Sequence, residues 1–234
     1  MGGLHAVREL LAAGRRRVHE VWLARSGGDV EELERLAQQV GARVRRVSPA
    51  RLASGAAGAV PQGVLARADP LRAVPYERLL DDPACFLVAF DGVTDPQNLG
   101  ACLRAALTAG ATGAVLPRAR TARLGATVAK AAAGALEHLP ICAVAGIPTA
   151  LERARRRAVW TVGLDEDGGH DVFVLPCAAE RLMLVFGGEG RGLGRLTRQR
   201  CDLLARIPTT GPIRSLNVAA AVAVATHAVA HCRR

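Results

Sequence analysis

VFGGEGRGLGRL, Val185 to Leu196, sets five glycines between Gly187 and Gly194 around a single carboxylate, Glu189. Glycine inside a regular element costs roughly 0.5–1 kcal/mol relative to alanine, so this density calls for a geometric reason: left-handed turns, or a ligand or second strand lying against bare backbone. A dinucleotide fingerprint needs G-x-G-x-x-G and a phosphate loop needs G-x-x-x-x-G-K-[ST]. Neither fits. Counted from Gly188 or Gly190, the third glycine falls on Leu193 or Arg195, and no Lys-Ser or Lys-Thr follows. In the stretch RLMLVF just before the loop, everything after Arg181 is apolar, as a strand buried on both faces should be. The glycines therefore sit where a parallel strand ends.

Working outward, the same strand-then-loop pattern repeats. The first 68 residues read as a helix over Leu4 to Ala13, the strand VHEVWLA, the helix DVEELERLAQQV with Asp29 as its cap, and the strand ARVRRV. Residues 69–84, rich in proline and charge, read as a linker. From Cys85 the alternation lengthens: strand CFLVAF, a helix near Leu99 to Ala109, strand GAVLP, and an alanine-rich helix to Ala133. Then come strand LPICAVA, helix TALERARRRA, strands VWTVGL and RLMLVF, the glycine loop, a short helix, strand LLARIP and a last helix from about Leu216. The fold class is α/β, with a mostly parallel sheet covered on both faces and ligands at the carboxyl ends of its strands. The expected division is 1–68, 69–84 and 85–234.

Composition narrows the function. The chain of 234 residues carries a net charge of +10, and of its 31 basic residues only Lys130 is lysine. Arginine preference explains the choice of base but not the excess over acids, and a basic surface of this strength attracts polyanions, nucleic acid above all. The charge is spread along the chain, with triplets at Arg15, Arg16, Arg17 and at Arg155, Arg156, Arg157. Each triplet reads equally as a solvated helix end or a phosphate contact. Aromatics are only 3%, which argues against stacking platforms for single strands, so RNA would be held by charge and shape. The six cysteines never form C-x-x-C, and His227 and His231 have no third ligand near them, so no metal site is expected. No apolar run is long enough to span a bilayer. Free thiols and a cytoplasmic location are the expectation.

Two more loops follow strands. In DGVTDPQNLGACLR, Asn98 occupies a helix-cap position, and Gly100 lies one turn before Arg104, leaving open surface beside the guanidinium. In IPTTGPIRSLNV, Ser215 or Asn217 would cap the final helix, whose Ala and Val content suits close approach to the sheet or to a second subunit. Capping alone explains each of these residues.

Together the three loops resemble the signature motifs of the SpoU (TrmH) family of RNA ribose 2′-O-methyltransferases: NLGACLR matches N-x-G-x-x-x-R, GGEGRG matches G-x-E-G-x-G, and SLNV matches the third motif. GLHAVRELL and VPQGVLARA resemble the N-terminal substrate-binding domain of the branch acting on a guanosine of 23S ribosomal RNA. The resemblance implies a C-terminal trefoil knot forming an S-adenosylmethionine pocket, an obligate homodimer, and no metal. By position Gly187, Ile207 and Leu216 match cofactor contacts, and Asn98, Arg104, Glu189, Ser215 and Asn217 match active-site polar residues, with Arg104 assisting deprotonation of the 2′-hydroxyl. Transfer RNA as substrate and a non-catalytic RNA-binding role are the alternatives. Ala219 follows SLNV where many relatives have serine. Pro212 and Arg214 before it are less usual. The opening MGGLHAV leads us to expect a short or missing first strand.

Overall fold

The structure is a computed structural model that describes residues 1–56, 62–212 and 215–233. Arg214, and Val60 and Pro61 of the VPQGVLARA stretch, lie outside the described residues.

The N-terminal unit runs α1 (Leu4–Ala13), β1 (Val18–Leu23), α2 (Gly28–Gln39), β2 (Arg43–Arg46), α3 (Pro49–Gly55) and β3 (Val64–Ala68). Its sheet order is β2-β1-β3, parallel between β1 and β2 and antiparallel between β1 and β3. Val7, Leu10 and Leu11 of α1 and Val30, Leu33 and Ala37 of α2 fall at three- and four-residue spacings, and those faces bury against Val21 and Leu23 of the sheet. α2 starts one residue before Asp29, after Gly27 at φ 135, so Asp29 lies in the first turn instead of capping it. The short first strand is a stub: the Met1 amine donates to the Ala66 carbonyl at 2.8 Å, and Gly2 bridges to Leu65.

The larger unit continues with α4 (Tyr76–Leu80), β4 (Phe86–Asp91), α5 (Pro96–Thr108), β5 (Gly113–Pro117), α6 (Ala126–Ala131), α7 (Ala135–His138), β6 (Ile141–Val144), α8 (Ile147–Arg156), β7 (Trp160–Leu164), β8 (His170–Asp171), β9 (Leu182–Gly187), α9 (Arg195–Arg200), β10 (Leu203–Arg206) and α10 (Val218–Cys232). Its seven strands are ordered β6-β5-β4-β9-β7-β10-β8 and every pairing is parallel. Period-two alternation splits the core into two layers. Phe86, Val88 and Phe90 of β4 and Leu184 and Phe186 of β9 pack with α5, α6 and α10. Leu87, Ala89, Met183 and Val185 point the other way, to α4 and α8. Phe90 and Phe186 stack with centroids 6.0 Å apart, and each buried side chain of this size contributes roughly 1.5–3 kcal/mol.

Several boundaries differ from the expectation for physical reasons. α5 starts at Pro96, not Leu99, because proline is preset for the first helical position and Asp95 accepts from the Asn98 amide at 2.7 Å. The alanine-rich helix ends at Ala131; Ala133 at φ 47 and Gly134 at φ 96 turn the chain into α7. Residues 69–84, read as a linker, carry α4, whose Tyr76, Leu79 and Leu80 are buried and whose tyrosine hydroxyl donates to the Ala150 carbonyl at 2.9 Å.

The two arginine triplets are largely structural. Arg16 forms a two-pronged ion pair with Glu137, whose side chain is fully buried, and also donates to the Asp69 carbonyl, while Arg15 donates to the Glu137 carbonyl at 3.2 Å. Arg155 pairs with Asp202 at 2.7 Å and Arg157 with Asp81, and Arg153 one turn earlier pairs with Glu77. Removing one partner of a buried pair costs about 3–5 kcal/mol. Arg16→Met should therefore lower the unfolding free energy by about that much in urea titrations, whereas Arg16→Met combined with Glu137→Met should recover most of the loss.

All six cysteines are free thiols. Burial pushes Cys85 up to about 11 and Cys102, Cys142 and Cys201 up to about 12 from the ordinary value of 9.0. Raised folded-state values stabilise the native state below pH 9, and that contribution drains away as the unfolded thiols ionise first. Urea midpoints should fall steadily from pH 9 towards 11, and replacing these four thiols by alanine or valine should flatten that fall.

Candidate active site

Three loops leave the carboxyl ends of β4, β9 and β10 on the same edge of the sheet. The close approach of their backbones explains the glycines. A Cβ on Gly187 would lie 2.0 Å from the Gly192 carbonyl carbon, and one on Gly188 would lie 2.2 Å from the Gly92 oxygen. Gly188 donates to the Asp91 carbonyl at 2.9 Å and Gly192 to the Gly188 carbonyl at 3.0 Å, so the β9 exit is laced to the β4 exit through main chain. The Asp91 carboxylate completes the clasp by accepting from the Gly194 amide at 3.1 Å and from the Thr197 hydroxyl.

Glu189 stands above this clasp and joins the three loops. Its Oε1 accepts from Asn98 Nδ2 at 2.7 Å and from Asn217 Nδ2 at 2.9 Å, and the Asn217 amide also reaches Asn98 Oδ1 at 3.2 Å. Asn98 is free to do this because Asp95 holds the cap of α5. Asn217 does both jobs: its Oδ1 accepts from the Ala219 amide at 2.8 Å, capping α10, while its Nδ2 faces Glu189. One oxygen thus binds residues 91 and 28 positions away in the chain, leaving Oε2 unengaged among the described residues. The second motif's carboxylate orients amides from the first and third.

Beneath the triad is a cavity of about 720 Å³. Its lining includes the apolar Phe186, Leu164, Ile207 and Leu216 together with Asp165, Glu166 and Asp167 from the β7 exit. All three expected cofactor positions, Gly187, Ile207 and Leu216, line it, as do Glu189, Ser215 and Asn217. Asn98 joins through its hydrogen bond to Glu189. Arg104 does not line the cavity; it is exposed on α5 and forms no ion pair or side-chain hydrogen bond among the described residues. Gly100 has a packing role: a Cβ there would lie 2.5 Å from that of Ala131, so it seats α6 against α5. Asp91, which clasps the loop, and the Asp165 and Arg198 pair at 3.3 Å on the cavity lining were not singled out from the sequence. The acidic run LDEDGG directly after a parallel strand was the available signal for the second.

Residues 85–227 match the family model described as SpoU rRNA Methylase family, and residues 2–74 match RNA 2′-O ribose methyltransferase substrate binding. The chain belongs to the SpoU rRNA methylase family. It is 41% identical to 23S rRNA (guanosine-2′-O-)-methyltransferase RlmB of Pseudomonas aeruginosa, over 95% of this chain and 92% of the relative. The same-named protein of Escherichia coli is 36% identical over 95% and 93%. Among solved structures, the SpoU methyltransferase AviRb of Streptomyces viridochromogenes in complex with AdoMet superposes at a TM-score of 0.84, with 26% identity, covering all of this chain and 89% of that one. An AdoMet-bound rRNA methyltransferase from Sinorhizobium meliloti superposes at 0.82, with 25% identity, covering 99% and 86%.

The clasp predicts unequal tolerance within one loop. Gly187→Ala must push the return of its own loop at Gly192 and Leu193 away and should cost about 1–3 kcal/mol by thermal melt and weaken ligand affinity. Gly190→Ala has open space around it and meets only the left-handed strain of φ 75, a cost of about 1–2 kcal/mol that leaves ligand affinity nearly unchanged.

Proposed function

We propose that this SpoU-family protein transfers the methyl group of S-adenosylmethionine to a ribose 2′-hydroxyl of RNA, a guanosine of 23S ribosomal RNA. The observation that carries the reading is the convergence of all three motif loops on one carboxylate above a glycine-built cavity. The relatives of 36–41% identity that span nearly the whole chain carry that activity in their names. The AdoMet-bound neighbours support the methyl donor.

The cavity suits the donor chemically. Phe186, Leu164, Ile207 and Leu216 offer an apolar slot for a purine, main chain around Gly187 has room for close approach because no Cβ intervenes, and the carboxylates at the β7 exit suit hydroxyl and ammonium groups. When bound, S-adenosylmethionine supplies a methyl group already activated on a sulfonium. The protein's work is to place the 2′-oxygen and help remove its proton. Glu189 holds the Asn98 and Asn217 amides in fixed orientation, so that the groups facing the ribose are set before RNA arrives. Ser215 lies beside them on the cavity lining. Because arginine is a poor base, Arg104 is assigned a supporting part in the deprotonation: it draws an RNA phosphate oxygen to the site, lowers the cost of the forming alkoxide, and leaves the phosphate to take the proton. No metal is required by this chemistry.

Three further features belong to the same reading. The C-terminal segment forms a trefoil knot, which fits a strand order in which β10 inserts between β7 and β8 after the β9 loop. The protein acts as a homodimer, a reading supported by the exposed Ala220 and the half-buried Ala223 and Val224 along one face of α10, a helix that packs on α5. It works in the cytoplasm on ribosomal RNA, which agrees with free thiols and with the absence, among the described residues, of any helix long and apolar enough to cross a membrane. The N-terminal unit favours ribosomal over transfer RNA. A solved C/U34 transfer-RNA methylation structure covers only 65% of this chain.

Incubation with methyl-labelled S-adenosylmethionine and unmodified 23S RNA, then nucleoside mass analysis, should yield labelled 2′-O-methylguanosine. Arg104→Ala should bind the donor as well as the parent in calorimetry and lose methyl transfer by 100-fold or more, on the order of what one positioned acid–base partner contributes. Equal turnover would remove Arg104 from the mechanism.

A further inference from the structure

The arginines of this protein differ in how far carboxylates offset them. Among the described residues nine are ion-paired to carboxylates: Arg8, Arg16, Arg45, Arg46, Arg153, Arg155, Arg157, Arg198 and Arg200. In contrast, the sequence from Pro96 to Leu136 holds no Asp or Glu at all yet carries Arg104, Arg118, Arg120, Arg123 and Lys130. Half of the net charge of +10 therefore sits in 41 consecutive residues. All five cations are exposed, and none forms a side-chain hydrogen bond or ion pair among the described residues.

Three of them belong to one loop, residues 118–125, between β5 and α6. Its position is fixed from both ends. β5 runs parallel beside β4, so the loop leaves the same sheet edge as the active-site loops. The Ala122 amide donates to the Val93 carbonyl at 3.1 Å, and Thr121 Oγ1 donates to the same carbonyl at 3.3 Å, which ties the loop to the turn just before Asn98. At its far end Gly125 leads into α6, which packs on α5 at Gly100. Arg120 adopts φ 59, a left-handed conformation that an arginine rarely takes. Ala122 is buried while Arg118, Arg120 and Arg123 face solvent beside Ala119 and Leu124, so the loop is anchored at Ala122 and presents all three of its cations.

Unpaired cations cost like-charge repulsion, and nearby carboxylates would have relieved it, as they do around α8. Arginine's planar fork is suited to phosphate oxygens. We infer that the β5–α6 loop is an RNA-backbone contact, in which Arg118, Arg120 and Arg123 hold phosphates flanking the nucleoside that enters the active site. The inference rests on the proposed RNA methylation and extends it from the reacting nucleotide to the strand around it. Contacts of this kind position the strand and carry no sequence information. The exposed Arg78 and Arg156 lie on α4 and α8, which pack on the opposite face of the sheet from α5 and α6.

The test is the salt dependence of binding to unmodified 23S RNA fragments by the full chain. Each phosphate contact adds about 0.7–0.9 to the slope of log affinity against log salt. A variant combining Arg118→Gln, Arg120→Asn and Arg123→Gln, with asparagine chosen for the left-handed position, should lose about 2–3 from that slope and roughly 10- to 100-fold in affinity near 0.15 M salt. Donor binding by calorimetry should be unchanged, which also reports an intact fold. Arg118→Lys, Arg120→Lys and Arg123→Lys together should retain most of the slope, and Arg78→Gln with Arg156→Gln should leave it as in the parent. An unaltered slope in the triple glutamine–asparagine variant, or an equal loss per charge in the Arg78 and Arg156 control, overturns the loop assignment while the parent still methylates RNA. A parent that neither binds nor methylates RNA refutes the underlying function as well.

Discussion

The site depends on the β9 loop folding back on itself and lying close enough to the β4 exit for backbones to touch. Gly187 abuts Gly192 and Gly188 abuts Gly92 at separations that leave no room for a Cβ. Such contacts place amides and carbonyls of neighbouring loops within hydrogen-bond range, so the cavity edge is built from main chain, whose position is set by the sheet and not by side-chain rotamers. Five glycines in one loop would be a liability in any element that had to fold alone. Here the entropy they lose on folding is offset by bonds from Gly188 to Asp91, from Gly192 to Gly188 and from Gly194 to the Asp91 carboxylate.

With the backbones clasped, a single carboxylate can coordinate what no local interaction could. Asn98 and Glu189 are 91 positions apart, and Glu189 and Asn217 are 28 apart. The amide of each asparagine donates to the same oxygen, which aligns both side chains without freezing either by packing. Division of labour at the helix starts makes this feasible. Asp95 caps α5, which releases Asn98; Asn217 caps α10 with its oxygen and keeps its nitrogen for Glu189. A motif residue therefore need not choose between a structural and a functional duty when its two polar ends face different neighbours.

Much of this was legible in the sequence. The buried strands announced themselves as continuous apolar runs because both sheet faces are covered, and the helix α1 was readable to the residue from its four-residue spacing. Boundaries failed where local backbone preference outweighed periodicity: proline set the start of α5, and left-handed turns at Ala133 and Gly134 broke a run of alanines that propensity alone would continue. The three motif loops could be named as candidates, yet their convergence could not, because it comes from the order β4-β9-β7-β10 across the sheet, which no spacing encodes. Asp91 was invisible for the same reason; a single acid at a strand end looks ordinary until its partners, Gly194 and Thr197, arrive from more than 100 positions on.

The arginines show how charge and structure have to be read together. Residues 1–80 and 81–234 each carry an excess charge of +5, and the arginine triplets are the most conspicuous basic feature of the sequence. Folding cancels most of that signal, since Arg16, Arg155 and Arg157 are spent on ion pairs that hold elements together and contribute little field to the solvent. The densest unneutralised segment is a stretch without a conspicuous run, where cations are spaced through loop and helix and acids are simply missing. A polyanion approaching the molecule responds to this residual field and not to the formal count. The binding surface of a basic protein is therefore better located by where carboxylates are absent than by where arginines are dense, and in this chain that absence borders the three loops that build the active site.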